Sequence, residues 1–408
     1  MMRIATANTF DRTVDNLMQR QTEMARQQER LSSGKRVLKA SDDPVAATLA
    51  ETAQNRLTRV QADQRALDAS RTSLEQAESG LAESGELIMR VRELLVSAGN
   101  GTFTDAERAD IAKQLEGLRE QMIAVANRTD NAGRTLFGGL GGSPRPFVDL
   151  YTATGAGVRF DGQRGQVAPG DNALPAALDG DAIWMRVPQG NGAFAVSLGA
   201  GNTGGASANL GQVSDATALT GSNYRIEFTQ TPGGMTYSVI DTTAVPAAPV
   251  AGHNGVAYTP EMTIEFEGIQ LQLQGTPATG DTLEITANPP ATDIFAVVQS
   301  AIEVLRSEGS NETAVRRHGL ERAIAEIDAG HDRVLLARGR VGEWLNRADS
   351  LESLFTDRDL AFKKEKSSYE DLDMVEGISD FQKQQTAFEA AIKSYAQIQR
   401  LSLFSALG

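Results

Sequence analysis

A hydrophobic residue recurs every seven positions over more than forty residues. From Ala53 onward Val60, Leu67, Leu74, Leu81, Ile88 and Leu95 follow one another without a break. A straight helix turns once in 3.6 residues, so a strict seven-residue repeat keeps its stripe on one side only if the helix coils left-handedly around a neighbour. Ile111, Leu115, Leu118, Met122 and Val125 continue with 4-3-4-3 spacing, and Leu320, Ile324, Ile327, Val334, Val341, Leu345, Ala348 and Phe355 carry a matching stripe in the second half. An ordinary helical bundle would satisfy each segment alone. Three aligned segments predict long coiled helices. Their starts are marked: Ser41-Asp42-Asp43-Pro44 sets capping side chains before a helix-opening proline, and Thr104 with Glu107 forms a capping box. Gly99-Asn100-Gly101 reads as the antiparallel turn between two of these helices.

Helix-breaking residues are confined to the middle. Twelve of the 13 prolines lie between Pro144 and Pro290, 25 of the 39 glycines lie between Gly138 and Gly280, and no lysine occurs between Lys113 and Lys363. Both ends are therefore cleared for helices. In the middle, Tyr224, Ile226 and Phe228 alternate with polar residues, Thr231-Pro232-Gly233-Gly234 turns, and Met235, Tyr237 and Val239 alternate again. Ile264 and Phe266, then Ile269, Leu271 and Leu273, form a second pair around Gly268. This is hairpin patterning on a half-exposed antiparallel sheet. Leu198 to Leu219, rich in Gly, Ala, Ser and Thr, reads as a long surface loop.

The two extremities match each other. Residues 1–40 hold eight basic and four acidic side chains, and residues 370–408 hold three basic and six acidic ones, so a positive end faces a negative one. Phe10, Val14, Leu17, Gln21, Met24, Gln28 and Leu31 form a 4-3 seam, as do Met374, Ile378, Phe381, Gln385, Phe388, Ile392, Tyr395 and Gln399. Two docked terminal helices would explain this much. Glutamines in such a seam lower stability but select register and partner. Ordering a 30-residue end costs on the order of 1–2 kcal/mol per residue in backbone entropy. Five to seven buried apolar side chains return about 1.5–3 kcal/mol each. The ends are thus expected to be loose in an isolated chain and to order when neighbouring copies cover them.

Composition excludes several functions. A net charge of −14 argues against nucleic acid. The absence of cysteine excludes thiol catalysis, thiolate metal sites and disulfides. No apolar run reaches the roughly 18 residues of a membrane span. The start, polar by Asp11 and Arg12, lacks the core of a cleaved signal, so the chain is expected to be cytoplasmic or to leave the cell by another route. His253 precedes Asn254-Gly255 and reads as a turn residue, while His318 and His331 fall on different faces of one helix, His331 on its seam. Gly34-Lys35 is no phosphate loop, because Arg36 stands where a hydroxyl is required and Glu29 where the first glycine is required. The Gly138–Gly142 cluster fails the dinucleotide pattern at Pro144. No nucleophile is placed beside a base, so no catalytic, cofactor-binding or metal residues are assigned.

Leu31-Ser32-Ser33-Gly34-Lys35-Arg36-Val37, leading into Ala40-Ser41-Asp42-Asp43-Pro44-Val45-Ala46-Ala47, resembles the N-terminal signature of the flagellin superfamily. Within that family the version with Lys35-Arg36 and Asp43-Pro44-Val45 is closer to the hook–filament junction members than to the filament subunit. Asn131 to Gly139, Gly275 to Asp281 with Asp293-Ile294-Phe295, Ser394-Tyr395-Ala396 and Leu401-Ser402-Leu403-Phe404 are similar to later landmarks of the same family. The resemblance covers about 260 residues at the two ends and is weak in the insert. It implies an α+β multidomain fold with a terminal coiled-coil domain (1–43 with 366–408) and an antiparallel long-helix bundle bearing a β-hairpin (44–149 with 286–365). An antiparallel β-rich outer insert (150–285) completes it.

The resemblance also implies a structural, non-enzymatic subunit, secreted through type III export to the junction of the flagellum after a cytoplasmic stage. Its partners would be copies of itself in a helical tube, a larger hook-associated protein, flagellin, the filament cap and an export chaperone at the C-terminal helix, with no nucleic acid and no membrane. Filament flagellin and a secreted adhesin-like binding module are the alternatives. The assembly residues would be Phe10, Val14, Leu17, Met24 and Leu31 at one end, and Ile378, Phe381, Phe388, Ile392, Tyr395, Leu401, Leu403 and Phe404 at the other. Ser33, Gly34, Lys35, Arg36, Ser41, Asp42, Asp43 and Pro44 form the signature.

Overall fold

The computed structural model describes residues 2–151, 157–168, 174–307 and 312–407, with residues 2–10, 312 and 398–407 described by their backbone alone. The fold is α+β. Four long helices, α1 (Met2–Ser33), α2 (Pro44–Ala98), α6 (Glu312–Glu370) and α7 (Met374–Leu407), are joined by the shorter α3 (Asp105–Ala126), α4 (Gly180–Trp184) and α5 (Ile294–Leu305). Packing divides the chain into two compact units, one of residues 1–66 and 350–408 and the other of residues 67–349.

In the 67–349 unit the seven-residue repeat is the core. Leu67, Leu74, Leu81, Ile88 and Leu95 of α2 and Leu320, Ile327, Val334, Val341 and Ala348 of α6 are all buried. The two helices run antiparallel, because Arg92 pairs with Asp328 at 2.6 Å and Arg338 with Glu78 at 2.7 Å, one position falling as the other rises. One detail departs from expectation. Ile324 and Leu345 sit half-buried at the edge of the α6 seam, as does His331, and its second row is Ala323, Gly330, Ala337 and Trp344. Small side chains let the neighbours close in: a Cβ at Gly330 would lie 2.6 Å from Ile294 Cδ1. Hydrophobic periodicity does not register such positions.

The turn after α2 and the start of α3 follow the expected chemistry. Thr104 Oγ1 accepts from the Glu107 amide at 3.3 Å, and Glu107 Oε2 accepts from the Thr104 amide at 2.8 Å. Beyond α3 the strands β1 (Phe147–Asp149) and β2 (Val158–Phe160) pair antiparallel. Phe147 anchors an aromatic cluster with Trp184, Phe160 and Phe295 at ring-centroid distances of 5.4, 5.2 and 5.9 Å. Arg119 of α3 ties this region together. It grips both carboxylate oxygens of Asp149 at 2.6 and 3.0 Å and donates to the Phe295 carbonyl at 3.2 Å, which holds the Asp149 carboxyl below its ordinary range.

The insert is a two-sheet β structure. One sheet orders β3 (Phe194–Leu198), β12 (Thr282–Ala287), β6 (Tyr224–Thr231), β7 (Gly234–Asp241) and β8 (Ala248–Pro249), with β9 (Val256–Ala257) also on β7. The other orders β10 (Thr263–Phe266), β11 (Ile269–Gln274) and β4 (Ser207–Ala208), with β5 (Gln212–Val213) on β11. The β6–β7 hairpin turns at Pro232-Gly233, and the alternating residues Tyr224, Ile226, Phe228, Tyr237 and Val239 enter one core with Ile264, Phe266, Leu271 and Leu273. The stretch expected to be a loop, Leu198 to Leu219, instead supplies β4 and β5. Ala206, Ser207 and Ala208 are buried there. Tiny side chains admit the backbone itself: a Cβ at Gly275 would fall 1.8 Å from the Gly205 carbonyl.

His318 of α6 lies beneath both sheets. Its Nδ1 is 2.9 Å from the Ala208 carbonyl oxygen and its Nε2 is 2.9 Å from that of Val196, so one ring spans β4 and β3. His253 is half-buried against Tyr237, whose hydroxyl lies 3.3 Å from its Nδ1.

Candidate assembly site

The signature residues fold into a joint within the 1–66 and 350–408 unit. Gly34 adopts φ +70°, a left-handed conformation that ends α1 and suits glycine. The chain then pairs with the turn between α6 and α7: Leu372 donates to the Gly34 carbonyl at 2.9 Å, and Arg36 donates from its amide to the Glu370 carbonyl at 2.8 Å. Lys35 makes an ion pair with Glu370. The Arg36 guanidinium donates to the Tyr369 carbonyl at 2.8 Å and to Asp43 Oδ2 at 3.1 Å. Ser33 Oγ accepts from the Lys35 amide at 3.3 Å.

The two aspartates divide their work. Asp43 alone caps α2, its Oδ1 accepting from the Ala46 amide at 3.0 Å, and Pro44 opens the helix. Asp42 instead closes the preceding turn, accepting from the Lys39 and Leu38 amides at 3.0 and 3.2 Å. These amide bonds hold both carboxyls below the ordinary range, helped at Asp43 by Arg36. Ser41 is exposed. In the same unit, Gln54 meets Lys366 at 2.7 Å, Gln61 meets Asp359 at 3.3 Å and Arg56 meets Glu365 at 3.7 Å, so α2 and α6 run antiparallel here also.

The helix α1 packs along α7. Val14, Leu17, Met24 and Leu31 are half-buried, and so are Phe381, Phe388 and Tyr395. Ile378 and Ile392, expected on the same seam, do not face α1: they are 47% and 45% exposed. The facing row is Gly377, Phe381, Gln384, Phe388, Ala391 and Tyr395, and its counterpart on α1 includes the buried Gln27. Phe381, Phe388 and Tyr395 therefore belong to the seam, and glycine, glutamine and alanine hold the alternate places where Ile378, Gln385 and Ile392 were expected. The seven-residue spacing of Gly377, Gln384 and Ala391 was the available signal, but polar and small residues carry none of the apolar pattern. The side chains of Phe10, Leu401, Leu403 and Phe404 lie outside the described residues.

The pair is left with an apolar edge and an orphaned acceptor. Met18 on α1 and Met374, Val375, Ile378 and Ile392 on α7 are exposed. Gln384 Oε1 is buried with no hydrogen-bond partner among the described residues. Among the described residues no three His, Asp or Glu side chains gather as metal ligands, and no helix is long and apolar enough to cross a membrane.

The family described as the bacterial flagellin N-terminal helical region matches residues 4–141, and the D2-like domain of flagellar hook-associated protein 1 matches residues 198–287. The chain is 26% identical to flagellar hook-associated protein 3 of Escherichia coli over 99% of both chains. The protein is flagellin-like. This flagellin-like chain is also 26% identical to hook-associated protein 3 of Salmonella typhimurium, again over 99% of both. The FlgL structure of Xanthomonas campestris in one of its crystal forms superimposes with TM-score 0.68 at 27% identity, covering 78% of this chain and 99% of that one. The flagellar junction protein FlgL of Legionella pneumophila shares the fold with TM-score 0.67 at 24% identity, over 74% of this chain and 99% of that one. These flagellin-like relatives are all named for the flagellum.

Proposed function

We propose that this chain is a structural subunit of the bacterial flagellum at the hook–filament junction, assembling through its paired terminal helices after type III export. One observation carries the reading: its likeness to hook-associated protein 3 runs over 99% of both chains, whereas flagellin of Bacillus subtilis, at 30% identity, matches only 33% of this chain and 44% of its own. A junction address is favoured over a filament one for that reason. The geometry supports a subunit that is finished by its neighbours. The α1–α7 pair offers Val375, Ile378 and Ile392 to a partner surface.

In this reading residues 1–43 with 366–408 form the axial part, 44–149 with 286–365 the helical wall and 150–285 the outer insert. Copies of the chain stack on a larger hook-associated protein, with flagellin and the filament cap beyond, and an export chaperone holds the C-terminal helix before secretion. Labelled antibody against the chain should mark isolated flagella in one narrow band at the hook end. Labelling along the whole filament, or spontaneous growth of long filaments by the purified chain, would instead make it a filament subunit.

A further inference from the structure

The helix α6 carries a second unpartnered surface, far along the chain from the terminal seams. Between α4 and α6 lies a cavity of about 330 Å³ whose lining includes Asp179, Ile183, Arg333, Leu336, Arg340 and Trp344. Of the apolar residues lining it, Leu336 is 65% exposed. Arg333 and Arg340 bring two cations to it, and Asp179 brings one carboxylate, which accepts from the Gly165 and Ala182 amides at 2.8 and 3.3 Å. Arg164 and Arg186 share the single buried carboxylate of Asp181 at 3.1 and 2.6 Å, and Arg333 is spent on the Ala182 carbonyl at 3.0 Å. No carboxylate pairs with Arg340 among the described residues. Burial and the neighbouring Arg186 and Arg340 cations pull the Arg333 guanidinium below its ordinary value, a sign of positive charge without full compensation.

The same unit displays a face of opposite character. On α2 Glu86, Met89, Glu93 and Val96 are all exposed at spacings of three, four and three, so they share one side of the helix away from its buried seam. Glu86 and Glu93 supply carboxylates, and Met89 and Val96 supply apolar surface. Arg90 and Lys113 line one shallow hollow with Glu93, and Arg90 also stands four residues beyond Glu86 on the same helix.

We infer that the cleft between α4 and α6 receives the Glu86–Val96 face of α2 from a second copy of this chain, with Arg340 meeting Glu86 and Leu336 packing on Met89. The inference rests on the subunit reading above and names one of its contacts. Because the two surfaces differ, the contact is heterologous. Each copy keeps one surface free after binding, and repetition builds a ring or a helical tube instead of a closed dimer. The opposite charges of Arg340 and Glu86 select this pairing over face-to-face contact, which would set Glu86 and Glu93 against their own copies.

The absence of cysteine makes the test direct. Full-length chains carrying Leu336→Cys, Met89→Cys, both, or neither are produced in the native cell, and isolated flagella are oxidised mildly. The inference expects disulfide-linked multimers of the chain from the double variant only, at least tenfold above either single variant. Arg340→Glu and Glu86→Arg should each shrink the swarm diameter several-fold, and the two together should restore most of it. Both sites are on the surface, so the melting temperature of each monomer should stay within a degree or two of the parent. The contact is refuted if the double cysteine variant sits in the flagella but yields no multimers, if Leu336→Cys links to a different flagellar protein, or if the combined charge reversal swims no better than the single ones. Absence of the unaltered chain from flagella would instead overturn the subunit reading itself.

Discussion

The side-chain amide of Gln27 on α1 donates a 3.2 Å hydrogen bond to the backbone carbonyl of Gly377 on α7, across 350 residues of sequence. The bond is buried, and Gly377 is the reason it can form. A Cβ there would lie 2.8 Å from Leu372 Cδ2 and 3.1 Å from Leu31 Cδ2. Two polar or side-chain-free residues thus set the register of the terminal pair, within a seam otherwise held by Leu31, Phe381 and Phe388.

Gln27→Ala should weaken the terminal pair by about 1 kcal/mol, and Gly377→Val should weaken it further by forcing the helices apart. Limited trypsin digestion of the monomer at Arg26 and Arg30 is the readout, with cleavage several-fold faster in both variants. Unchanged rates would mean the bond does not hold the ends.

Exposed and seam-facing apolar residues should separate cleanly on α7. Ile378→Asp with Ile392→Asp alters surface positions, so the monomer should keep its helicity and melting temperature while the cells lose motility. Phe388→Asp places a charge in the half-buried seam and should lower monomer helicity as well. Motility at the parental level in the isoleucine double variant would remove the α7 edge from the assembly surface.

The heptad core of α2 is intolerant of shortening. Leu81 is fully buried, and Leu81→Ala should cost about 2–5 kcal/mol through lost burial and a residual cavity. Chemical denaturation of the monomer measures it. A loss below about 1 kcal/mol would show that α2 and α6 collapse freely around the gap.

Glu326 gives a stability change that depends on pH. It is buried, and burial raises its carboxyl above the ordinary value, with Arg322 and the Gly190 amide working the other way. A raised folded value means the protonated form is favoured in the fold. The stabilising contribution is therefore present below the unfolded value and is lost as pH rises through the folded one. Glu326→Gln should melt several degrees higher than the parent at pH 8, and the difference should vanish toward pH 4. A difference that is constant across this range would place the effect in packing and not in charge.

Elements whose burial is apolar and periodic were legible in advance. Leu67 to Leu95, Ile111 to Val125 and the hairpin of Tyr224 to Val239 occupy the core as their spacing predicts, and the Thr104–Glu107 box forms as its chemistry requires. Three things were misread or missed. The α6 seam uses Gly330 and Ala337 where Ile324 and Leu345 are expected, residues 207–208 and 212–213 enter a sheet despite reading as loop, and Ile378 and Ile392 turn away from α1.

The sequence by itself determined the long helices, the caps of α2 and α3 and the β6–β7 hairpin, because capping, proline exclusion and apolar burial act locally or along one element. Only the tertiary structure decided which face of α7 meets α1, where Arg340 is left without a carboxylate and how His318 spans two sheets. Those outcomes depend on how closely two backbones can approach. That distance is set by the absence of side-chain volume at Gly377, Gly330 and Gly275, a property that becomes visible only when the opposing surface is in place.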